Sequence, residues 1–142
     1  MDRHWALAVA MCVVVAGAVV LVASGCSSAQ PELAGTSWTL SAWAESSPPP
    51  ASVTITAAFD ASQVSGNSGV NSYFGSYERD DDGAFSVGQL GGTMMAGTEE
   101  AMRAEQTYLR LLEAARLYAV ADGTLVLKDA DGNDSLTFAA SE

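Results

Sequence analysis

The sequence offers few side chains whose type and spacing would support catalysis. Ser68 lies in a glycine-containing segment, but Gly69 follows it directly, so the spacing differs from that of a hydrolase nucleophile elbow. The only histidine, His4, stands near the N-terminus, so no later histidine can activate the Ser68 hydroxyl. Glu105 could serve as a general base only with a partner and a pocket that the sequence does not specify. We therefore predict no catalytic residue.

Metal-binding and redox chemistry are also poorly supported. The two cysteines are Cys12 and Cys26, so the rest of the chain lacks the residues for an internal disulfide or a cysteine-containing zinc site. Asp129, Asp131 and Asn133 alternate as in a calcium loop, but the nearby glycine precedes Asn133 instead of following it. We interpret this segment as a solvated hairpin turn and predict no metal and no cofactor.

Length and charge narrow the class of protein further. The chain has 142 residues, which suits one domain and an N-terminal targeting segment. Its 17 acidic and 6 basic side chains give a formal net charge of -11. Such a domain is repelled by phosphate groups, so nucleic acid is excluded as a partner.

The N-terminal residues have the layout of a secretory leader. An apolar stretch over residues 5–22 follows a short polar start and precedes Ala23, Ser24, Gly25 and Cys26. These four residues resemble the lipobox of bacterial lipoproteins, in which the cysteine is acylated and becomes the new N-terminus. Ala23 stands where those proteins usually have leucine. The alternatives are an uncleaved transmembrane helix and plain secretion.

This layout divides the chain into three parts. We predict a lipoprotein signal peptide over residues 1–25, a short tether over 26–32 and a domain over 33–142. Lipid on Cys26 would place the protein in the cell envelope, anchored to a membrane, with its domain on the extracytoplasmic side. The sequence makes no prediction about oligomeric state.

Apolar residues at alternate positions predict mostly short antiparallel strands after residue 35. Helical spacing is clear over residues 99–115, where Thr98 is the predicted N-cap and Glu99 and Glu100 lie in the first turn. The predicted fold class is α+β, mainly antiparallel β, with about seven or eight strands and one packed helix. The predicted strands cover residues 36–43, 53–59, a segment from 63, 73–77, 84–90, 117–121, 124–128 and 135–139.

Several ordered motifs resemble the META domain. Residues 66–77 resemble the central motif of that family, residues 93–97 its second motif, and Glu105 and Tyr108 lie in a segment similar to its helix. The resemblance covers about residues 33–138. The positions that carry it are Gly66, Asn67, Gly69, Asn71, Tyr73, Gly75, Tyr77, Thr93, Met94, Met95, Glu105 and Tyr108.

The resemblance implies an elongated, barrel-like antiparallel sheet with a helix. The family includes bacterial lipoproteins of the HslJ type, associated with heat induction and novobiocin resistance, and no enzymatic activity is established for it as a whole. It commonly has a cysteine in each of the first two motifs, where this chain has Val70 and Gly97. We interpret the loss of both as a tolerated exchange, offset by packing, that excludes a redox function here.

The functional prediction is a membrane-anchored, non-catalytic envelope lipoprotein that binds a protein, peptide or hydrophobic ligand. The family resemblance adds a role in envelope stress or novobiocin-type antibiotic tolerance. The alternatives are a glutamate- or aspartate-dependent hydrolase and a purely structural envelope protein.

The side chains of the motifs have structural interpretations and functional ones. We predict that Met94 and Met95 fill the core, the alternative being an adaptable binding groove. Tyr73, Tyr77 and Tyr108 are predicted to pack between sheet and helix, the alternative being hydroxyl groups in a pocket. The Glu105 side chain is predicted either to lie on the solvated face of the helix or to make a hydrogen bond within the motifs.

Overall fold

The computed structural model describes residues 31–142, so the predicted signal peptide and Cys26 lie outside the described residues. Within this range, no helix has the length and apolar character needed to cross a membrane. The elements in chain order are β1 Thr36–Trp43, β2 Thr56–Phe59, β3 Gln63–Asn67, β4 Ser72–Arg79, β5 Phe85–Val87, β6 Gly91–Gly92, α1 Glu99–Ala114, β7 Leu117–Ala121, β8 Thr124–Lys128 and β9 Asp134–Ala140.

The strands form one antiparallel sheet that nearly closes into a barrel. Its order is β5-β4-β3-β2-β1-β9-β8-β7, and the short β6 pairs with β4. The two outer strands approach each other where the Phe85 N–H donates to the Arg116 carbonyl at 2.9 Å and the Tyr118 N–H donates to the Gly83 carbonyl at 2.9 Å. The prediction of a mainly antiparallel, barrel-like sheet with one packed helix is therefore confirmed.

Alternation along β4 shows how the sequence builds the wall of the barrel. Tyr73, Gly75 and Tyr77 face inward, while Phe74 and Ser76 face outward. A Cβ atom on Gly75 would lie 2.6 Å from a methyl carbon of Leu90. The glycine between the two rings thus makes room for a neighbouring side chain.

The helix begins and ends close to the predicted positions. The Thr98 hydroxyl accepts the Ala101 N–H at 3.2 Å, which caps the first turn, and Ala115 is the C-cap. One face of α1 joins the core of the barrel, and Tyr108 packs edge-on against Phe138 at 6.3 Å between ring centroids. The largest fully buried side chains are Tyr108, Phe138, Leu33, Leu112, Leu125, Leu127, Leu136, Val64 and Ser68.

Two strands are shorter in the structure than the sequence predicts. β2 starts at Thr56, later than predicted, because the Val53 N–H donates to the Pro50 carbonyl in a turn at 3.0 Å. Ile55 is nevertheless buried. The strand predicted over residues 84–90 ends at Val87, although the Gly88 N–H still donates to the Ser76 carbonyl of β4 at 2.8 Å. The next residues that pair with β4 are those of β6.

Candidate binding site

Glu105 anchors a buried hydrogen-bond network between the helix and the turn before β4. The residue is only 8% exposed and belongs to the buried face of α1. Oε1 accepts the Asn71 backbone N–H at 3.0 Å and lies 2.5 Å from the Ser68 hydroxyl oxygen. Oε2 accepts the Asn71 side-chain amide at 3.0 Å. Of the two predicted roles for Glu105, the hydrogen bond within the motifs is the one observed, and solvation of the helix is not.

Asn71 extends this network to the segment after β6. Its Oδ1 accepts the Met95 backbone N–H at 2.6 Å and the Thr93 hydroxyl at 2.8 Å, while its Nδ2 donates to the Met95 carbonyl at 3.2 Å. One amide therefore holds the backbone of the second motif on both sides of Met95. We call Ser68, Asn71, Glu105, Thr93 and the Met95 backbone the Glu105 network. Apart from the resemblance of the motifs, no pattern in the sequence predicts these contacts.

Gly69 permits the turn that brings this network together. Its φ angle is +123°, and a Cβ atom there would lie 3.1 Å from Val53 Cγ1 and 3.4 Å from the Ala101 carbonyl oxygen. The Asn67 side chain accepts the Gly69 N–H at 2.7 Å and so fixes the start of the turn. Only a residue without a side chain both adopts this angle and lets α1 approach so closely.

A pocket of about 300 Å³ opens over the Glu105 network. We call it the methionine pocket, because every methionine of residues 31–142 lines it. Its residues are Asn71, Thr93, Met94, Met95, Ala96, Met102 and Glu105.

The prediction that Met94 and Met95 fill the core is wrong. Met94 is 98% exposed and Met95 is 59% exposed. The hydrogen bonds from Asn71 hold this segment on the surface, so neither side chain reaches the interior. Two large apolar side chains therefore face solvent beside the pocket.

The tyrosines of the motifs are buried, as their spacing predicts. The hydroxyl groups of Tyr73 and Tyr108 lie 2.6 Å apart, and Tyr73 donates to the Thr56 carbonyl at 2.8 Å. Because Tyr73 uses its proton there, Tyr108 is the donor between the two rings. Burial raises the pKa of both phenols above the ordinary value. Tyr77 donates to the Asp60 carbonyl at 2.6 Å and also belongs to the core.

The acidic loop near the C-terminus is a turn, as predicted. Asp129 Oδ1 accepts the backbone N–H of Asn133 at 3.0 Å and that of Asp131 at 2.9 Å. These bonds, led by the one from Asn133, lower the pKa of Asp129. Within residues 31–142, no three His, Cys, Asp or Glu side chains lie close enough together to hold a metal ion.

The chain enters the domain at the opposite end of β4 from the methionine pocket. Glu32 pairs with Arg79 at the last residue of β4, and the Pro31 carbonyl accepts the Tyr118 hydroxyl at 3.4 Å. At the first residue of β4, the Thr93 N–H donates to the Ser72 carbonyl at 3.0 Å. An eight-residue strand spans about 24 Å, so β4 separates the two ends by about that distance.

Comparison with known protein families matches residues 31–142 to the META domain. The chain belongs to the META domain family. The Glu105 network therefore joins three segments of a META domain, namely its central motif, its second motif and its helix. Among proteins of curated function, none matches this chain.

Solved structures show how far the likeness extends. A protein from Burkholderia xenovorans, solved by NMR, is 34% identical, with a TM-score of 0.65 over 77% of this chain and 83% of that one. A protein of the DUF4847 family from Bacteroides vulgatus is 13% identical, with a TM-score of 0.52 over 75% of this chain and 93% of that one. The second likeness shows the fold alone.

Proposed function

We propose that this META domain protein is a membrane-anchored, non-catalytic envelope lipoprotein that binds a protein, peptide or hydrophobic ligand. The observation that carries the proposal is the placement of its exposed apolar side chains. Within residues 31–142, the exposed large hydrophobic residues are Phe74, Met94 and Met95. Phe74 packs over Gly91, in the strand that leads directly into the methionine segment. We call these three side chains the apolar patch.

The apolar patch lies at the end of the domain that would face away from the membrane, where a ligand could bind it. The six residues between Cys26 and Leu33 span at most about 20 Å, so a lipid on Cys26 would hold the Arg79 end of β4 near the bilayer. The apolar patch lies at the other end of β4, where a soluble partner can reach it. The net charge of -11 also disfavours close contact of the domain with anionic lipid.

The proposed role in envelope stress or novobiocin-type tolerance rests on membership of the META domain family. An apolar patch beside an open pocket supports such a role through binding, because burying apolar surface contributes about 25 cal/mol per Å². The same patch argues against a purely structural protein, since exposed apolar side chains do not stabilise an isolated domain.

A hydrolase is the second candidate, favoured by the contact of 2.5 Å between Ser68 and Glu105. A carboxyl group at this distance from a hydroxyl has the geometry of a base beside a nucleophile. Ser68 is fully buried, however, and both oxygens of Glu105 also bind Asn71. The arrangement therefore fits a structural role, in which Glu105 holds the turn before β4, better than a catalytic role in which Ser68 attacks a substrate. A hydrolase screen of the wild type against Ser68→Ala and Glu105→Gln tests this, since turnover lost in both variants would establish the enzyme.

Membrane anchoring is tested by intact mass and fractionation of the full chain. We expect the wild-type protein to lack residues 1–25, to carry diacylglycerol mass on Cys26 and to sediment with membranes. Cys26→Ser should remain unprocessed and without lipid. Cys12→Ser is the matched control, because that cysteine lies in the leader, and it should behave as wild type. Mass shifts that are identical in the Cys26→Ser and wild-type chains, each measured from its own sequence mass, would disprove the lipid anchor.

Ligand binding is tested by native mass spectrometry of protein extracted from its own membrane. We expect a reproducible retained mass that is lost when Phe74, Met94 and Met95 are all replaced by serine. The control replaces the exposed Ala114, Ala139 and Ala140 by serine, which leaves the apolar patch intact. Two results would rule out binding at the apolar patch. One is a mass that both variants retain, and the other is the absence of a retained mass even in the wild type.

A further inference from the structure

The three methionines of the described residues have a distribution that packing does not explain. Met94 and Met95 are exposed and contribute nothing to the core, yet they and Met102 line one pocket. Met102 lies on α1, and its sulfur accepts the Gly97 N–H at 3.3 Å. That contact places the Met102 sulfur beside the segment that carries the other two methionines. The pocket thus gathers thioethers from a helix and from a surface segment held by Asn71.

Thioether sulfur is a soft, uncharged ligand with a narrow choice of metal ions. Soft sulfur ligands select Cu(I) and similar ions, whereas carboxylate and carbonyl oxygens suit Mg²⁺, Ca²⁺ and Mn²⁺. We propose that Met94, Met95 and Met102 form a binding site for a soft monovalent metal ion, Cu(I) or Ag(I). Each side chain has three rotatable bonds, so the exposed pair can turn toward the pocket without moving the backbone.

The charge around the pocket favours a monovalent cation. Glu105 lines its floor, and the polar atoms that approach its oxygens are the N–H and O–H groups of Asn71 and Ser68. Three hydrogen bonds already use most of the acceptor positions of this carboxylate, so we expect Glu105 to contribute negative charge beside the pocket and not to be a main ligand. The formal charge of -11 on the chain attracts cations over a longer range.

This site goes beyond the proposed function, and it shares Met94 and Met95 with the apolar patch. Three sulfurs can hold a soft ion whether or not the chain is anchored. Phe74 belongs to the apolar patch but not to the metal site, so Phe74→Ser should weaken ligand retention and leave metal binding unchanged. Failure of the metal site and failure of ligand binding at the apolar patch can therefore be told apart.

The experiment uses the full chain in detergent with Cys12→Ser and Cys26→Ser, so that no thiol competes for the metal. Its methionine methyl groups are labelled with ¹³C and titrated with silver nitrate in chloride-free buffer. We expect saturable binding of one ion per chain, with shifts of the methyl signals of Met94, Met95 and Met102. Zinc sulfate, as a harder ion, should leave the three signals in place.

The deciding variant replaces Met94, Met95 and Met102 by leucine in the same background. Leucine preserves size and apolar character, so the fold is retained and circular dichroism should match the parent. The affinity for Ag(I), and for Cu(I) supplied with a competing chelator, should fall by about tenfold or more. Met11→Leu is the matched control and should bind as the parent does. Equal affinity of the parent and the triple variant, or no saturable binding by the parent, would overturn the proposal.

Discussion

Val70 and Gly97 face each other across the two META motifs. A Cβ atom on Gly97 would lie 3.5 Å from the Cβ of Val70 and 2.7 Å from its Cγ2. In disulfides the two Cβ atoms are about 3.5–4.5 Å apart. The positions where the family commonly has cysteines are therefore close enough to be cross-linked. In this chain a valine methyl group occupies the space left by the glycine, which fits the interpretation of a compensated exchange.

The first prediction is that Val70→Cys with Gly97→Cys forms a disulfide. In a Cys12→Ser, Cys26→Ser background, the bond should close a loop of about 27 residues and raise the free energy of unfolding by about 3 kcal/mol. Denaturant unfolding with and without reductant measures the gain. Val70→Cys alone is the control and should show no dependence on reductant. Two free thiols in the oxidised double variant would contradict the geometry.

The second prediction concerns Glu105. Glu105→Ala should destabilise the domain by about 2–4 kcal/mol, because Asn71 and Ser68 lose the acceptor for buried donors. Equilibrium unfolding in urea measures the loss. Glu113→Ala is the matched control, since that side chain is exposed on the same helix, and it should change stability by less than about 0.5 kcal/mol. Similar losses in both variants would show that the Glu105 network contributes little.

The third prediction follows from the buried phenols of Tyr73 and Tyr108. Their raised pKa values mean that the native state holds their protons more tightly than the unfolded state, whose ordinary value is 10.0. Stability should thus be fully retained below about pH 10 and fall above it, by at most about 1.4 kcal/mol per pH unit for each tyrosine. The free energy of unfolding, measured from about pH 8 to 11, should fall less in Tyr108→Phe than in the wild type. This range brackets the pH at which an ordinary tyrosine titrates. An unchanged slope in that variant would refute the assignment.

The fourth prediction compares two glycines. A Cβ atom on Gly66 would lie 2.2 Å from the Thr56 carbonyl oxygen, so Gly66→Ala must displace backbone and should cost about 1–3 kcal/mol. On Gly91 it would meet the exposed ring of Phe74 at 3.1 Å, and that ring can move. Gly91→Ala should therefore cost less than about 1 kcal/mol. Thermal unfolding of the two variants gives the comparison, and an equal or larger loss for Gly91→Ala would contradict it.

Local patterns in the sequence predict most of the fold. The cap at Thr98 and the inward tyrosines of β4 follow from residue type and spacing, because these features depend on near neighbours in the chain. Asp122 and Gly123 join β7 to β8, and both have positive φ angles, which is typical of an Asp-Gly pair in a hairpin turn. The pattern fails at the start of β2, where a turn between Pro50 and Val53 takes up residues whose alternation predicts a strand.

The candidate site depends on contacts that no local pattern encodes. Asn71 binds the Met95 backbone 24 residues away, and Glu105 reaches Asn71 over 34 residues. Two adjacent methionines in a sequence predict burial, because apolar residues usually enter the core. Hydrogen bonds from residues distant in the chain, those of Asn71 among them, hold this segment on the surface, so the exposure of the two methionines could not be predicted from their own segment.

The position of β1 has a consequence for how the domain is made. β1 lies in the middle of the sheet and pairs with β9, where Trp38 stands opposite Ala140, so strands from both ends of the domain must meet before the barrel closes. Contacts this distant along the chain slow folding, because a long loop must close before they form. A chain shortened before Asp134 would leave the edges of β1 and β8 unpaired and prone to aggregation. Synthesis must therefore be almost complete before a stable domain exists.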